Sequence, residues 1–345
     1  MRILFLLFSG TNNTLEIARL LASDFALEGH TSEITNIDID TPLVDLSNYD
    51  LVALGYPIYA FNEPRFFWRY VKRLQLSKKA KYFVFKSSGE TLALNDASSR
   101  RIFRKLRKEK CEVLGDYHFV MPYNIHFRFD DGFVKEIMAY NRKLSKVLID
   151  NVLKGKKVFL KTNLLYNFVA WIIVIQRPGA TINSYLYRTD MNKCVKCMKC
   201  VRDCPTHNIY YEDGKIQFHH RCQRCMRCSF FCLVDAISIG YINSWRVNGA
   251  YRFFEIEKNE ALPLPYITRQ SKGFYRCFIR YFATSTNLIQ IFSYAQRLTK
   301  GEETSDLLRH KRVFLLYCLY GNGPDRRIPS SSSTSHDEKE GEANL

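Results

Sequence analysis

The sequence predicts an α/β domain, a doubly wound parallel sheet covered by helices, followed by a small α+β domain organised around cysteines. Two observations predict it. Strand-length apolar runs alternate with helical patterns over about the first 125 residues, and eight of the eleven cysteines fall later in two quartets of identical spacing. Alternating β and α segments lay down parallel strands with helices on both faces, because each crossover needs a helix to return the chain.

Residues 2 to 8, Arg-Ile-Leu-Phe-Leu-Leu-Phe, form a continuous apolar run of strand length. It feeds the polar loop SGTNNT and then an amphipathic stretch, Leu15, Ala18, Leu21, Ala22 and Phe25, which reads as strand, loop, helix. Further strands are expected at about 31 to 37, 51 to 56, 81 to 85 and 113 to 121, with helical patterns near 64 to 74 and 94 to 109. In such a sheet ligands bind at the carboxyl ends of the strands. Ser9, Thr11, Asn13 and Thr14 put three hydroxyls and an amide at one such end, where a helix amino terminus favours an anion.

The cysteines carry the most specific signal. Cys194, Cys197, Cys200 and Cys204 recur 28 residues later as Cys222, Cys225, Cys228 and Cys232, with Met198 as Met226, Lys199 as Arg227 and Ile209 as Ile237. The spacing C-x2-C-x2-C-x3-C lets three thiolates wrap one cubane cluster while the fourth serves its neighbour. Two [4Fe-4S] clusters are therefore expected, one on Cys194, Cys197, Cys200 and Cys232, the other on Cys222, Cys225, Cys228 and Cys204. A pair of zinc sites is the alternative, though a four-ligand zinc knuckle does not space its cysteines this way. Between the quartets a short helix is expected after Pro205, then a hairpin turning at Asp213 and Gly214. Over about residues 190 to 240 the chain resembles the bacterial-type two-cluster ferredoxins, departing from them at Leu233, where a second proline would stand. The segment 191 to 240 holds eight Lys and Arg against four Asp and Glu, which suits an acidic docking face on a redox protein partner.

The first 125 residues resemble flavodoxin. Besides the loop at 9 to 14, the segments GYPIYAFNEP and KSSGETLAL follow the third and fourth strands. The resemblance implies FMN, its phosphate on Ser9, Thr11, Asn13 and Thr14. Pro57, Ile58, Tyr59 and Ala60 would lie on one face of the ring, and Ser87, Ser88, Gly89, Glu90 and Thr91 on the other side. Asn12 stands where the family usually has glycine, and asparagine tolerates the left-handed conformation such a loop needs. Joined, the halves resemble the flavodoxin-ferredoxin fusion proteins found mainly in anaerobes. That resemblance implies an electron carrier that relays electrons between FMN and two clusters.

The expected organisation is a flavodoxin-like FMN domain at 1–155, a linker and docking helix at 156–189, the two-cluster domain at 190–245, a helical aromatic and basic extension at 246–320, and a disordered tail at 321–345. The apolar segment 164 to 175 is too short to span a bilayer and is expected to dock between domains. The stripe Phe274, Phe278, Tyr281, Phe282, Leu288, Ile289 and Phe292 is expected to be core, with membrane-surface contact through 274 to 320 as the alternative. The start MRILFLLF is too short for a secretory signal, so a cytoplasmic location is expected. In that reducing setting the cysteines are ligands or free thiols. No Ser/His/Asp or paired-carboxylate constellation stands out, and His118, His126 and His219 are isolated, so a flavin-dependent reductase of a small acceptor ranks second to electron transfer. The net charge of +17 comes without a recognition motif, so no nucleic acid is expected.

Overall fold

A computed structural model of the chain describes residues 1–160, 162–173, 179 and 182–283. Five strands, β1 (Arg2–Leu7), β2 (Thr31–Asn36), β3 (Leu51–Pro57), β4 (Lys81–Ser88) and β5 (Glu112–Val120), pair in parallel in the order β2-β1-β3-β4-β5. That order is the flavodoxin-like one. β1, β3 and β4 are buried along nearly their whole length because helices cover both faces, which is why they read as unbroken apolar runs. Helices α1 (Asn13–Leu27) and α4 (Asp131–Leu153) pack on one side through Ile17, Leu21, Phe25, Ile137 and Leu148; α2 (Arg65–Arg73) and α3 (Arg100–Lys108) pack on the other through Phe67, Val71, Ile102 and Leu106.

The pattern at 94 to 109 resolves into a 3-10 turn, Ala93–Ser99, that runs into α3. Its polar side chains are pulled inward: Asn95 donates to the Glu90 carboxylate at 3.0 Å, and Ser99 bonds Tyr56, Lys86 and Asp116. Such side-chain bonds compete with regular helix. Segment 164 to 175 forms α5 (Leu164–Ile173) as far as it is described, and docks on the sheet domain: Ala170 is fully buried beside Leu94 and Ala97, and its carbonyl accepts from Asn62 Nδ2 at 2.9 Å.

Residues beyond 245 turn back onto the first half. Phe133 of α4 is ringed by Tyr266, Tyr275, Phe278 and Phe282 at centroid separations of 4.8 to 6.1 Å. The Arg142 guanidinium grips the Glu257 carboxylate through two bonds of 2.6 and 2.8 Å, and Glu136 accepts from the Ile267 amide. Phe274, Phe278 and Phe282 are buried, so the described part of the aromatic stripe is core. Leu288, Ile289, Phe292, the 307 to 320 segment and the tail lie outside the described residues.

The cysteine-rich half carries two two-stranded antiparallel sheets, β6 (Tyr187–Thr189) against β9 (Ile237–Ile239) and the hairpin of β7 (Ile209–Glu212) and β8 (Lys215–Phe218). The β7-β8 turn falls at Asp213 and Gly214, both with positive φ. The helix expected after Pro205 lies before it, at Lys199–Arg202. Cys204 precedes a proline, whose ring disfavours helix in the residue before it, so the chain turns there instead. The repeat is also written in the backbone. Lys196 and Arg224, Met198 and Met226, and His207 and Asp235 are positive-φ pairs, each separated by the 28-residue period.

Arg227 joins the halves. Its guanidinium donates to the carbonyls of Ser9 at 2.6 Å, Gly10 at 3.0 Å and Asp203 at 2.9 Å, tying the loop after β1 to both halves of the repeat. Beside it the Cys225 carbonyl rests on Gly10 so closely that a Cβ there would lie 2.5 Å from it. The Ile39 amide donates to Pro205 and the His126 amide to Trp245, at 2.9 and 2.7 Å. Two outcomes follow. Arg227→Ala lowers stability by about 1.5–3 kcal/mol, since charge-assisted bonds to three carbonyls are lost, and Arg227→Lys fails to restore it because an ammonium lacks the planar fork; denaturant midpoints of the three proteins check this. Phe278→Ala opens a cavity against Phe133 and costs about 3–5 kcal/mol, read as a lower midpoint for the loss of sheet-domain circular dichroism.

Candidate iron-sulfur centres and the loops that face them

Each quartet begins as an extended loop whose residues at positive φ curl the backbone around its cysteines, and ends in one helical turn. Met198 and Met226 occupy the left-handed position just before the turns Lys199–Arg202 and Arg227–Phe230. These turns lift Cys204 and Cys232 away from their own loops. The result is two cysteine-lined cavities. One is bordered by Cys194, Cys197, Cys200 and Cys232, with Cys228 at its edge; the other is bordered by Cys204, Cys222, Cys225 and Cys228.

The thiols feel the same grouping. Burial pushes Cys200 up to about 11, and the neighbouring thiols that add to this are Cys194, Cys197 and Cys232. Burial likewise pushes Cys225 up to about 12, reinforced by Cys222 and Cys204. Thiols held this way lose their protons to a bound cation, as cluster iron requires. No disulfide joins any described cysteine. Among the described residues no three His, Cys, Asp or Glu side chains converge closely enough for a single metal ion. Backbone amides already point at sulfur: Asn208 N donates to Cys204 at 3.2 Å, and its counterpart one repeat later, Ala236 N, to Cys232 at 3.3 Å. Such bonds stabilise thiolate charge and raise a cluster's potential. The donor set therefore fits [4Fe-4S] chemistry at both cavities.

The cavities differ in setting. Cys197 is exposed and Val195 and Leu233 stand open beside the first. Cys225 is buried beneath the loop after β1, with the Tyr59 ring packed against it, and burial beside these thiols holds the Tyr59 hydroxyl far above the ordinary tyrosine range. Of the basic residues near the first cavity, Lys199 and Arg202 both pair with Asp203, at 2.6 and 3.1 Å, whereas Lys196 is exposed.

Ser9, Thr11, Asn13 and Thr14 do come together at the carboxyl edge of the sheet. Asn12 adopts φ 70°, ψ −8°, the left-handed geometry the loop needs. The backbone N–H groups of Thr11, Asn12 and Asn13 meet no acceptor among the described residues, and Ser9 Oγ is buried without a partner. A phosphate fits these groups. Two hydroxyls are already engaged: Thr14 bonds Ser87 at 2.9 Å and Thr11 accepts from Asn124 at 2.9 Å. Pro57, Ile58, Tyr59 and Ala60 lie across from Ser87, Ser88, Gly89, Glu90 and Thr91, and the two segments touch at their bases, where Ile58 N donates to Ser87 O at 2.8 Å. Gly89 faces the Tyr123 ring, and Tyr123 donates to the half-buried Glu90 carboxylate at 2.9 Å.

His118 bonds Ser88 at 2.8 Å, and burial lowers its pKa to about 3, so it is neutral at ordinary pH. His126 packs against Tyr123 and Trp245, and His219 stacks on Tyr210. Sequence reasoning missed Arg227, Gly10, Tyr123 and Asn124. The change from Lys199 to Arg227 within the repeat was the one signal that could have found the clamp.

A 4Fe-4S binding domain family matches residues 187–210. No curated protein matches the chain. Among solved structures, oxidised flavodoxin 1 from Bacillus cereus is 18% identical, aligning 43% of this chain with 98% of its own at a TM-score of 0.31. A flavodoxin from the domain Archaea is 14% identical over 45% and 99%, at 0.33. The flavodoxin from Streptococcus pneumoniae TIGR4 is 18% identical over 44% and 99%, at 0.32. The strand order gives the sheet domain a flavodoxin-like fold, and residues 187–210 match a 4Fe-4S binding domain at the first cysteine loop.

Proposed function

We propose that the chain holds two [4Fe-4S] clusters crosswise, one on Cys194, Cys197, Cys200 and Cys232 and one on Cys204, Cys222, Cys225 and Cys228, and relays electrons between a redox protein and the sheet domain. The observation that carries this is the pair of cysteine-lined cavities, each taking its fourth ligand from the other repeat. The exposed setting of Cys197 makes the first cluster the port for the partner. The second, under Gly10 and Tyr59, faces the sheet domain. Ser9, Thr11, Asn13 and Thr14 would hold the phosphate of FMN, with the segments 57–60 and 87–91 beside its ring. Bound there, FMN supplies a centre that takes electrons singly or in pairs. Around it, Arg227 and Cys225 hold the cluster loop against the phosphate loop and exclude water from that side.

An acidic protein suits the port, because Lys196 is exposed beside it while Lys193 and Arg202 pair with Asp190 and Asp203. Such a partner is steered electrostatically, and its electron-transfer rate falls as salt is added; a rate indifferent to salt removes the acidic partner. Anaerobically purified protein should contain about eight iron and eight sulfide. The crosswise assignment has its own signature. Cys204→Ser should alter the same low-temperature EPR signal as Cys222→Ser, and Cys232→Ser the same one as Cys194→Ser. If Cys204→Ser behaves instead like Cys194→Ser, each quartet serves its own centre.

A further inference from the structure

We propose that α5 and the outer faces of α2 and α3 form one surface that rests on an anionic lipid bilayer. The inner side of α5 docks on the sheet domain through Tyr166, Val169 and Ala170. Its outer side is bare. Leu164 is 89% exposed, Leu165 62%, Phe168 55% and Trp171 64%, and the Phe168 and Trp171 rings stack at 6.0 Å. Helical spacing puts these residues on one stripe. Ten residues are too few to cross a bilayer, and no described helix is long and apolar enough to do so. An aromatic and aliphatic stripe of this length instead suits the boundary between headgroups and acyl chains.

Charge decides the kind of surface. α5 sits where α2 and α3 begin: Asn62, which binds its backbone, lies just before α2, and Leu94 and Ala97, on which it packs, belong to the turn that becomes α3. α2 carries Arg65, Arg69, Lys72 and Arg73, and α3 carries Arg100, Arg101, Arg104, Lys105, Arg107 and Lys108; neither helix contains an acidic residue. The positions 65, 69, 72, 73 and 100, 104, 107, 108 each follow a helical stripe opposite the buried side. Arg101 pairs with Glu63 and Lys105 with Glu109. Arg65, Arg69, Arg73, Arg104, Arg107 and Lys108 are exposed. Each cation near an anionic leaflet strengthens the attraction to it. A polyanion such as nucleic acid would use the cations and leave the bare stripe in water; a lipid surface uses both. The stripe at 274–282, the other membrane candidate in the sequence, is buried on α4 and is not available in its described part.

Vesicle co-sedimentation of the full-length, cluster-loaded protein tests this independently of the redox reading, because cluster absorbance reports whether the redox half is intact. Vesicles of phosphatidylcholine with phosphatidylserine should pellet the protein at least about tenfold better than phosphatidylcholine alone, with the difference shrinking as salt is added. Brominated acyl chains should quench tryptophan fluorescence in the wild type and not in Trp171→Phe. Phe168→Ser with Trp171→Ser, or Arg104→Glu with Arg107→Glu, should abolish pelleting while cluster absorbance stays unchanged. Absence of pelleting overturns the proposal, as does pelleting without quenching. A lipid-free dimer that Trp171→Ser dissociates would make the occupant a second copy. Binding to heparin or RNA that outlasts binding to vesicles as salt rises would assign the basic face to a polyanion.

Discussion

The Arg227 guanidinium fixes the second cysteine loop against the loop that follows β1. Arg227 lies on the helical turn that ends the second cysteine loop, and its planar fork reaches the carbonyls of Ser9 and Gly10 on one side and Asp203 on the other. The contact is possible because position 10 has no side chain: the Cys225 carbonyl occupies the space a Cβ would need. These two facts fix where the second cluster cavity lies. They place it at the carboxyl edge of the parallel sheet, where α/β folds gather their ligands, and leave the first cavity on the solvent side.

The sheet was legible because its strands are buried on both faces, and such strands announce themselves as unbroken apolar runs. All five were found within three residues at either end. The cysteine loops were legible because ligand spacing is a local property, and the 28-residue repeat was visible before any geometry. What sequence could not supply was long-range contact. Nothing local says that the aromatic residues after 250 return to α4, although Phe133, Phe278 and Phe282 share one cluster. The helical turn lies before Pro205 rather than after it for a local reason, since proline disfavours helix in the residue that precedes it. For the candidate phosphate loop, residue types pointed to the right place and to the left-handed role of Asn12, yet its roof of Cys225, Asn124 and Tyr123 comes from segments more than a hundred residues away or from a neighbouring loop.

The two repeats keep one backbone and diverge in surroundings. Positive φ recurs at matching residues, and the amide bonds to Cys204 and Cys232 are equivalent. Around this common frame, Cys197 is open to solvent while its counterpart Cys225 is buried. Burial disfavours net charge, and exposure and hydrogen bonding to sulfur tune potential in cluster proteins. The two proposed centres, with the same ligand geometry, would therefore differ in potential, which would give the proposed relay its direction without any difference in ligands.

The net charge of +17 looked diffuse in the linear sequence. Folding concentrates it. Of the eighteen Lys and Arg residues up to position 130, ten lie on α2 and α3, two neighbouring helices on one side of the sheet. That much like charge on adjacent helices repels itself and lowers stability unless a counter-charge is near. The bare stripe of α5 carries a second cost, since apolar surface in water forfeits about 25 cal/mol for each Å² left uncovered. A helix apolar on all sides ordinarily lies inside a protein, yet α5 buries one side and shows the other. Both costs fall on the same region, and an anionic, partly apolar surface offsets both at once.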